Sequence, residues 1–419
     1  MKSYLGQYSG KIIFTLLSIT LLIGFFFNQD SAGSGGYIVD FENTWPYVEV
    51  LKKSLFVLPW GDNRYVGHTP LHFIILSKIY ILVDDKYLIR LIFCIISILM
   101  PALFYVCLKI NYPNENKNNL LTLASLIFLF PSFRAGAIWA ADHITALFFF
   151  LLFLFFYLKW IKESNFEKLT RNIYLQIIFL ALAVYTRQYY ALIYIYCMYI
   201  YFKRFSLFNF LKLSFIVFVL AIPGFFLIYY DPFLARVTWD EKLYNTILIS
   251  SSILSFYLIP IFFVLLFSNK EKFLINKKQQ LLFALVSITV VLLLSILFDY
   301  NYKIGGGYFL KLSYLLINNK ILFLISSAIG LILLFNLALE DKDNILLICL
   351  LIFGFSAYMI FQKYFEPMFF FIFFLMIKSS VSKIFLSNIK NIYFLLFYLG
   401  IYLTTAIINN IYQITKTVL

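Results

Sequence analysis

Charged residues are scarce in this chain of 419 residues. Lys, Arg, Asp and Glu together make up 13% of it, whereas hydrophobic residues make up 63% and the mean hydropathy is +0.89. A water-soluble globule of this size needs far more polar surface to cover its core. The composition therefore excludes a soluble domain and indicates a polytopic membrane protein.

Cysteine and histidine are also rare, with four and three copies. The cysteines lie within apolar runs and lack metal-site spacing, so no disulfide framework is predicted. The histidines, His68, His72 and His143, lack the close carboxylate–histidine spacing of a metal centre. No cofactor is therefore indicated, although a divalent metal stays an open alternative. The stretch IGGGY at 304–308 follows no strand and predicts a turn, not a nucleotide-binding loop.

Apolar runs recur from residue 12 to residue 409, many of them near the roughly 20 residues that cross a bilayer. We predict an all-α fold, a polytopic transmembrane helical bundle of about 11–13 spans. A single domain is expected over 1–419, with no separate soluble domain. Residues 28–90 form a long first extracytoplasmic loop in this interpretation. Its segment TPLHFIILSKIYILVDD, at 69–85, is short for a span and predicts an interfacial helix.

The formal net charge of +14 does not indicate a nucleic-acid partner. Its excess of Lys and Arg falls in short polar loops on one side of the predicted spans, as the positive-inside rule describes. This distribution places the N-terminus in the cytoplasm and the 28–90 loop outside. Because the heavy use of Phe, Ile, Lys and Asn is typical of an AT-rich bacterial genome, the predicted location is the bacterial inner (cytoplasmic) membrane.

Ionisable side chains gather at the predicted outer ends of the spans, where charge is costly unless it is paired or faces a cavity. Asp40 follows the first span and suits a general base, because apolar surroundings raise the proton affinity of a carboxylate. Alternatively, Asp40 and Glu42 keep a loop solvated or cap a helix that starts near Asn43. Arg and Lys side chains at the outer ends of the spans would bind a phosphate. An individual basic residue at a span end, however, more often extends its charged group to the lipid–water interface. The candidates are Asp40, Glu42, Arg64, His68, Arg90, Arg134, Asp142, His143, Arg187, Lys303, Lys363 and Glu366.

The stretch GHTPLHFIILSKIYILVDDKYLIRL resembles the GT-C superfamily of polyprenyl-phosphate-sugar-dependent glycosyltransferases, such as protein O-mannosyltransferases and the lipid A aminoarabinose transferase. In that family an acidic residue follows span one, a His-Pro-Pro-Leu-like segment opens an interfacial helix, and Arg-Leu begins span two. The matching positions are Asp40 with Glu42, then His68, Pro70 and Leu71, then Arg90 and Leu91. Thr69 departs from the family pattern, because it stands where the second residue of the His-Pro-Pro triplet is expected.

Three downstream stretches extend the resemblance. FPSFRAGAIWAADHITALFFFLLFLF resembles the junction before span four, with Asp142 at its start, and LALAVYTRQYYAL ends a span at Arg187. QKYFEPMFFFIFF is similar to a late Arg-Tyr-x-x-Pro element, with Lys363, Tyr364 and Pro367 matching. The last two stretches also loosely resemble the dolichyl-phosphate-glucose glucosyltransferase.

The resemblance implies an inverting glycosyltransferase that takes a sugar from a polyprenyl-phosphate donor. The acceptor would be a hydroxyl of a glycan, a lipid or a protein, and membrane lipids would surround the enzyme. Asp40 would be the general base with Glu42 beside it. The implied phosphate-binding residues are Arg64, Arg187 and Lys363, with Lys303 in reserve, and the implied supporting residues are His68, Arg90, Asp142, His143, Tyr364 and Glu366.

Two other functions stay open at this point. A polysaccharide polymerase or ligase would also use lipid-linked substrates, but it should place its key arginines and histidine in one large late loop. A lipid-linked-glycan transporter (flippase) would need ionisable groups near mid-membrane on broken helices.

Overall fold

The computed structural model describes residues 2–31, 36–53, 67–163, 168–230, 234, 242–268, 277–357 and 359–418. Within these ranges the chain forms 18 α-helices, three short 3-10 turns and no β-strand. The predicted all-α bundle with apolar, membrane-length helices is confirmed. The helices pack into two compact units, Met1–Val237 with Gly400–Leu419, and Thr238–Leu399.

The helices are divided between the two units as follows. The first unit contains α1 Lys2–Phe26, α2 Gly36–Lys53, α3 Leu71–Val83, α4 Lys86–Asn111, α5 Lys117–Ser125, α6 Pro131–Ile138, α7 Asp142–Ile161, α8 Arg171–Val184, α9 Ala191–Arg204 and α10 Leu207–Tyr230. The second contains α11 Leu243–Ser268, α12 Lys277–Leu297, α13 Gly307–Ile317, α14 Ile321–Glu340, α15 Lys342–Phe353, α16 Met368–Leu375 and α17 Ser380–Ser387. The last helix, α18 Ile389–Val418, contributes residues to both units.

Eight of the described helices are long and apolar enough to cross a bilayer, namely α1, α4, α7, α10, α11, α12, α14 and α18. Two further segments break and bend, Lys117–Leu129 against α6 by 69° and α16 against α17 by 99°. Counting each bent pair as one span gives up to 10 spans. The larger number expected from the sequence arises because the apolar runs at 172–186 and 189–202 form helices of only 14 residues, α8 and α9.

The predicted outer loop contains two described helices, α2 and α3. The 13-residue helix α3 lies where the sequence predicted an interfacial helix. It ends at Asp84, which adopts the left-handed conformation (φ 52°), and Asp85 then caps α4 by accepting a hydrogen bond from the Tyr87 amide at 2.8 Å. Two adjacent aspartates thus end one helix and begin the next.

Helix α2 begins earlier than the sequence suggested. Asp40 and Glu42 lie inside this helix, so the alternative in which they cap a helix starting near Asn43 is wrong. The buried Asp30 carboxylate instead accepts a hydrogen bond from the Ile38 amide at 2.9 Å, near the helix start. Free amides of a first helical turn need such an acceptor, and Asp30 supplies it upstream of the two candidate carboxylates.

Arg134 on α6 ties the first bent pair to α1. Its guanidinium donates to the Thr20 carbonyl at 2.7 Å and to Gln29 Oε1 at 3.0 Å, and its side chain is buried. A buried guanidinium needs such acceptors to offset its desolvation. The snorkelling expected for a span-end arginine is therefore not what Arg134 does.

Small residues bring α11 and α14 together in the second unit. Ser252 and Ser326 hydroxyls are 2.6 Å apart, and the Ser327 hydroxyl donates to the Leu248 carbonyl at 2.9 Å. A Cβ added to Gly330 would overlap the Ser251 carbonyl oxygen. This close approach of two backbones is how helices pack where lipid removes the hydrophobic driving force.

Hydrogen bonds hold the break between α16 and α17. The Asn344 side chain donates to the carbonyls of Leu337 (2.8 Å) and Lys378 (2.9 Å) and accepts from the Lys378 amide at 2.9 Å. The Lys378 ammonium also lies 2.7 Å from Asp343 Oδ2. The backbone groups released by the bend are thus satisfied by the junction between α14 and α15, as a break near lipid requires.

Candidate functional site

A buried ion pair joins Asp142 and Arg187 in the first unit. Nη2 of Arg187 lies 2.6 Å from Oδ1 of Asp142, and Nε lies 3.1 Å from Oδ2. The side chains are only 2% (Arg187) and 9% (Asp142) exposed. Burial alone would lower the pKa of the Arg187 guanidinium, but Asp142 outweighs this effect and holds the pKa well above its ordinary value. The pair is therefore ionised, and its two-pronged geometry fixes both side chains.

A tight turn between α6 and α7 positions Asp142. Ala140 takes a positive φ of 47°, and the Ala141 amide donates to the Gly136 carbonyl at 2.9 Å. Helix α7 then begins at Asp142, whose carboxylate benefits from the positive end of the helix dipole. Arg90 braces this turn, because its Nε donates to the Ile138 carbonyl at 3.0 Å and its guanidinium lies 3.6 Å from the centre of the Trp139 ring.

Hydrogen bonds connect the segment at 67–71 to the residues that flank Arg187. The Thr69 hydroxyl donates to the Val184 carbonyl at 2.9 Å, the Leu71 amide to the Tyr185 carbonyl at 3.0 Å, and the Gln188 amide group to the Gly67 carbonyl at 2.9 Å. A proline at position 69 could not donate the first of these bonds. The departure from the His-Pro-Pro pattern thus coincides with a contact that needs a hydroxyl residue.

These hydrogen bonds bring two histidines, His68 and His72, close to the Asp142–Arg187 pair. Nε2 of His68 lies 3.8 Å from Oδ2 of Asp142. His72 is buried, and its Nδ1 lies 2.8 Å from the Thr145 hydroxyl on α7. Burial lowers the pKa of His72 to about 4, so this ring is neutral near pH 7. His143 lies on the same turn of α7, with Nδ1 3.4 Å from the Tyr189 hydroxyl.

Helix α2 places Asp40 one turn from the buried Tyr37. Burial raises the pKa of the Tyr37 hydroxyl well above its ordinary value, and the charges of Arg187, Asp142 and Asp40 also act on this hydroxyl. The Asp40 side chain itself is exposed. The Tyr37 hydroxyl is therefore subject to the charges of both the exposed carboxylate and the buried ion pair.

Glu42 lies on the same helix and makes an exposed ion pair. Its Oε2 is 3.5 Å from Nζ of Lys86, and the Glu42 side chain is 58% exposed. The same ammonium lies 4.8 Å from the centre of the Trp45 ring. Glu42 therefore links α2 to the start of α4.

The remaining candidates belong to the second unit, apart from Arg64, which lies outside the described residues. Glu366 is buried and accepts a hydrogen bond from the Tyr257 hydroxyl at 2.7 Å. Lys363 and Tyr364 are half-buried in the short turn before it, and Tyr364 stacks on Phe355. Lys303 is exposed.

The described residues contain no group of three or more His, Cys, Asp or Glu side chains that could hold a metal ion. Two polar atoms near the ion pair are buried without a hydrogen-bond partner within the described ranges, Nη1 of Arg187 and Oε1 of Gln188. Each oxygen of the Asp142 carboxylate, in contrast, accepts a hydrogen bond from Arg187.

The structure brings Asp142, Arg187, His68 and His143 into one cluster, and Arg90 holds the turn that precedes Asp142. Sequence reasoning missed Tyr37, Thr145 and Tyr189, because a tyrosine or threonine in an aromatic-rich apolar run carries no distinguishing pattern. Arg187, predicted as a phosphate ligand, has two of its three guanidinium nitrogens on Asp142, and its contact with a phosphate stays a prediction. Compared with family models, curated proteins and solved structures, this chain finds no match.

Proposed function

We propose that the protein is an inverting membrane glycosyltransferase that moves a sugar from a polyprenyl-phosphate donor to an acceptor hydroxyl. The reaction would take place on the extracytoplasmic face of the bacterial inner membrane. One observation carries the proposal: an exposed carboxylate, Asp40, lies one helical turn from the buried Tyr37 on α2, and the charges of Asp40, Asp142 and Arg187 all act on the Tyr37 hydroxyl. The order of motifs that resembles the GT-C superfamily supports the same reaction.

Asp40 acts as the general base in this proposal. The acceptor hydroxyl attacks the anomeric carbon while Asp40 takes its proton, and the bond between that carbon and the phosphate oxygen breaks on the opposite face. Polyprenyl phosphate leaves with the bonding electrons, and the sugar is inverted at the anomeric carbon. A carboxylate within reach of the attacking hydroxyl is the group that this proton transfer needs.

The ion pair serves as a positioning unit. Arg187 contributes no more than Nη1 to a substrate, because its other nitrogens hold Asp142. Asp142 in turn orients His68, whose Nε2 lies 3.8 Å away. Arg64, Arg187 and Lys363, with Lys303 in reserve, remain the predicted phosphate ligands, as cations that would stabilise the charge that develops on the leaving group.

The test is consumption of the donor by the purified full-length protein in lipid nanodiscs. A panel of polyprenyl-phosphate sugars is supplied together with a cell-envelope extract as the source of acceptor, and released polyprenyl phosphate is measured by mass spectrometry. We expect at least one donor to be consumed in proportion to enzyme. If every donor stays intact while the protein remains folded, the transferase proposal fails.

A transporter of lipid-linked glycans is the second candidate, and the bent helices favour it. One broken pair lies in each unit, with bends of 69° and 99°, and broken helices are typical of transporters. In proteoliposomes, a transporter would move a fluorescent lipid-linked sugar between leaflets without cleaving it. A transferase would release polyprenyl phosphate, so the two functions give separate products.

A further inference from the structure

The second unit contains a surface pocket of about 380 Å³ that the proposed reaction does not use. It lies where the end of α12, the end of α13 and the start of α14 come together. Its lining combines three aromatic rings, Phe298, Tyr300 and Tyr314, with polar side chains from 299 and 318–320. The volume falls in the range of about 300–1,000 Å³ that is usual for small-molecule sites.

The aromatic rings of the pocket are held in place by contacts behind them. Tyr314 stacks on Tyr302 with ring centres 4.1 Å apart and an angle of 11° between the planes. The Phe298 ring lies 4.9 Å from that of Phe323, and the Tyr300 hydroxyl accepts a hydrogen bond from the Ile360 amide at 2.9 Å. These rings therefore form a fixed apolar surface on which the C–H face of another ring can lie.

The polar side of the pocket offers both donors and acceptors. Asp299 is exposed, and the Asn245 side chain fixes its backbone by donating to the Asp299 carbonyl at 2.7 Å. Asn318 and Asn319 are exposed, and the hydrogen bonds found between described residues include none from their side-chain amides. A carboxylate and two amides can bind several neighbouring hydroxyl groups at once.

The charges of the pocket do not form a dedicated anion site. Its ammonium, Lys320, already donates to the Ser295 carbonyl at 2.7 Å through one of its three N–H bonds. The Asp299 carboxylate would repel a phosphate in the pocket, although Lys242, 2.9 Å from this carboxylate, offsets part of its charge. A ligand with hydroxyl groups and an apolar face fits better than a phosphate.

Exposed apolar side chains flank the pocket along α13. Leu315, Leu316 and Ile317 directly precede Asn318 and are 81%, 63% and 46% exposed. A short apolar helix with such side chains at its end suits the interface between lipid and water. Any ligand of this pocket can therefore have a polar part in the pocket and an apolar part in the bilayer.

From these features we infer that the pocket binds a sugar ring, by stacking on its aromatic rings and by hydrogen bonds with Asp299, Asn318 and Asn319. The sugar comes either from a free glycan or from the head of a lipid-linked glycan anchored beside Leu315 and Leu316. The inference does not rest on the transferase proposal, because binding at this pocket requires no chemistry.

The test is saturation-transfer NMR on the full-length protein in nanodiscs of phosphatidylcholine and phosphatidylglycerol. One arm uses soluble methyl pyranosides and N-acetylhexosamine disaccharides, and the other uses short-chain polyprenyl-linked disaccharides. We expect binding in at least one arm, with the strongest transfer to the C–H protons of one sugar face. Binding in the first arm identifies a free glycan as sufficient, and binding in the second arm alone identifies the lipid-linked form.

Variants at the two amides make the test specific. Asn318 has a positive φ of 46°, so Asn318→Gly removes the amide while glycine keeps the backbone conformation. Combined with Asn319→Ala, it should weaken binding about tenfold, whereas the matched control Asn409→Ala, at an exposed amide of α18, should leave binding unchanged. The inference is overturned if no sugar binds, or if the double variant and the control bind equally well.

Discussion

Arg187 and Asp142, 45 residues apart in the sequence, form a two-pronged ion pair that lies almost entirely out of contact with solvent. Removing one partner of such a pair leaves the other charge buried, which costs more than the pair itself contributes. The pair therefore allows a prediction about the stability of the folded protein that does not depend on any role in a reaction.

We expect Asp142→Asn to destabilise the protein by about 3 kcal/mol or more, because Arg187 keeps its charge without its partner. The double variant Asp142→Leu with Arg187→Met should recover most of that loss. Thermal unfolding in detergent measures both, and Asp84→Asn at the exposed Lys52–Asp84 pair is the control that should change little. An Asp142→Asn protein as stable as the control would contradict this account of the pair.

Gly330 and Gly400 are both helical glycines, yet their alanine variants should change stability in opposite directions. A Cβ at Gly330 would overlap the Ser251 carbonyl oxygen, so Gly330→Ala must push α14 away from α11 and should cost about 2 kcal/mol or more. Among the described residues, no atom lies within 4 Å of a Cβ at Gly400, so Gly400→Ala should raise helix stability by about 0.5–1 kcal/mol. Equal thermal shifts in the two variants would contradict the close packing of α11 on α14.

His72 gives the protein a pH-dependent stability with a defined sign. Its pKa is lowered by burial from 6.5 to about 4, so the unfolded chain binds the proton more tightly than the folded one. The stability that neutral His72 contributes is fully present above about pH 6.5 and is lost as the pH falls toward 4. By about pH 5 the loss should reach about 2 kcal/mol.

Thermal unfolding of wild type and His72→Gln between about pH 7.5 and pH 5 checks this expectation. The variant lacks the titrating ring and should lose less stability on acidification than wild type does. His68→Gln is the matched control, because this ring is partly exposed at 26%. A pH dependence that is the same in His72→Gln and in wild type would rule out the assigned role of His72.

Thr69 connects the 67–71 segment to α8, and a Val in its place tests that bond. Thr69→Val keeps the side-chain shape but removes the hydroxyl that donates to the Val184 carbonyl at 2.9 Å. We expect a loss of about 1 kcal/mol, the usual contribution of one hydrogen bond. Thr404→Val, at an exposed hydroxyl that donates to the Gly400 carbonyl within α18, provides the comparison and should have a smaller effect. A larger loss in the comparison than in Thr69→Val would contradict the importance of the 67–71 contact.

Hydrophobic runs and local signals predicted much of the fold. The short run at 69–85, with one lysine inside it, gave the 13-residue helix α3, and the outer ends of the spans gave Asp142 at the first position of α7. Both predictions depend on residues close together in sequence. The length of an apolar run does not show where a helix breaks. The bend of 99° between α16 and α17 could therefore not be predicted from the sequence.

The sequence does not show which residues far apart in the chain contact each other in the folded protein. Asp142 and Arg187 were each identified as outer-end charges, but nothing in their spacing shows that one neutralises the other. Tyr37 could not be singled out among 32 tyrosines, because its significance comes from its burial and from the charges of that pair, which act on its hydroxyl. The site thus emerges from tertiary contacts that only the folded chain supplies.

The rate of polyprenyl phosphate release by Asp40→Asn, relative to wild type, tests the central claim most directly. The matched control is Asp84→Asn, an exposed aspartate of the same predicted outer region, whose left-handed backbone (φ 52°) asparagine tolerates. The account predicts that Asp40→Asn loses about 100-fold or more in rate, as expected for a missing general base, while the control stays near the wild-type rate. An Asp40→Asn protein that releases polyprenyl phosphate as fast as wild type would contradict it.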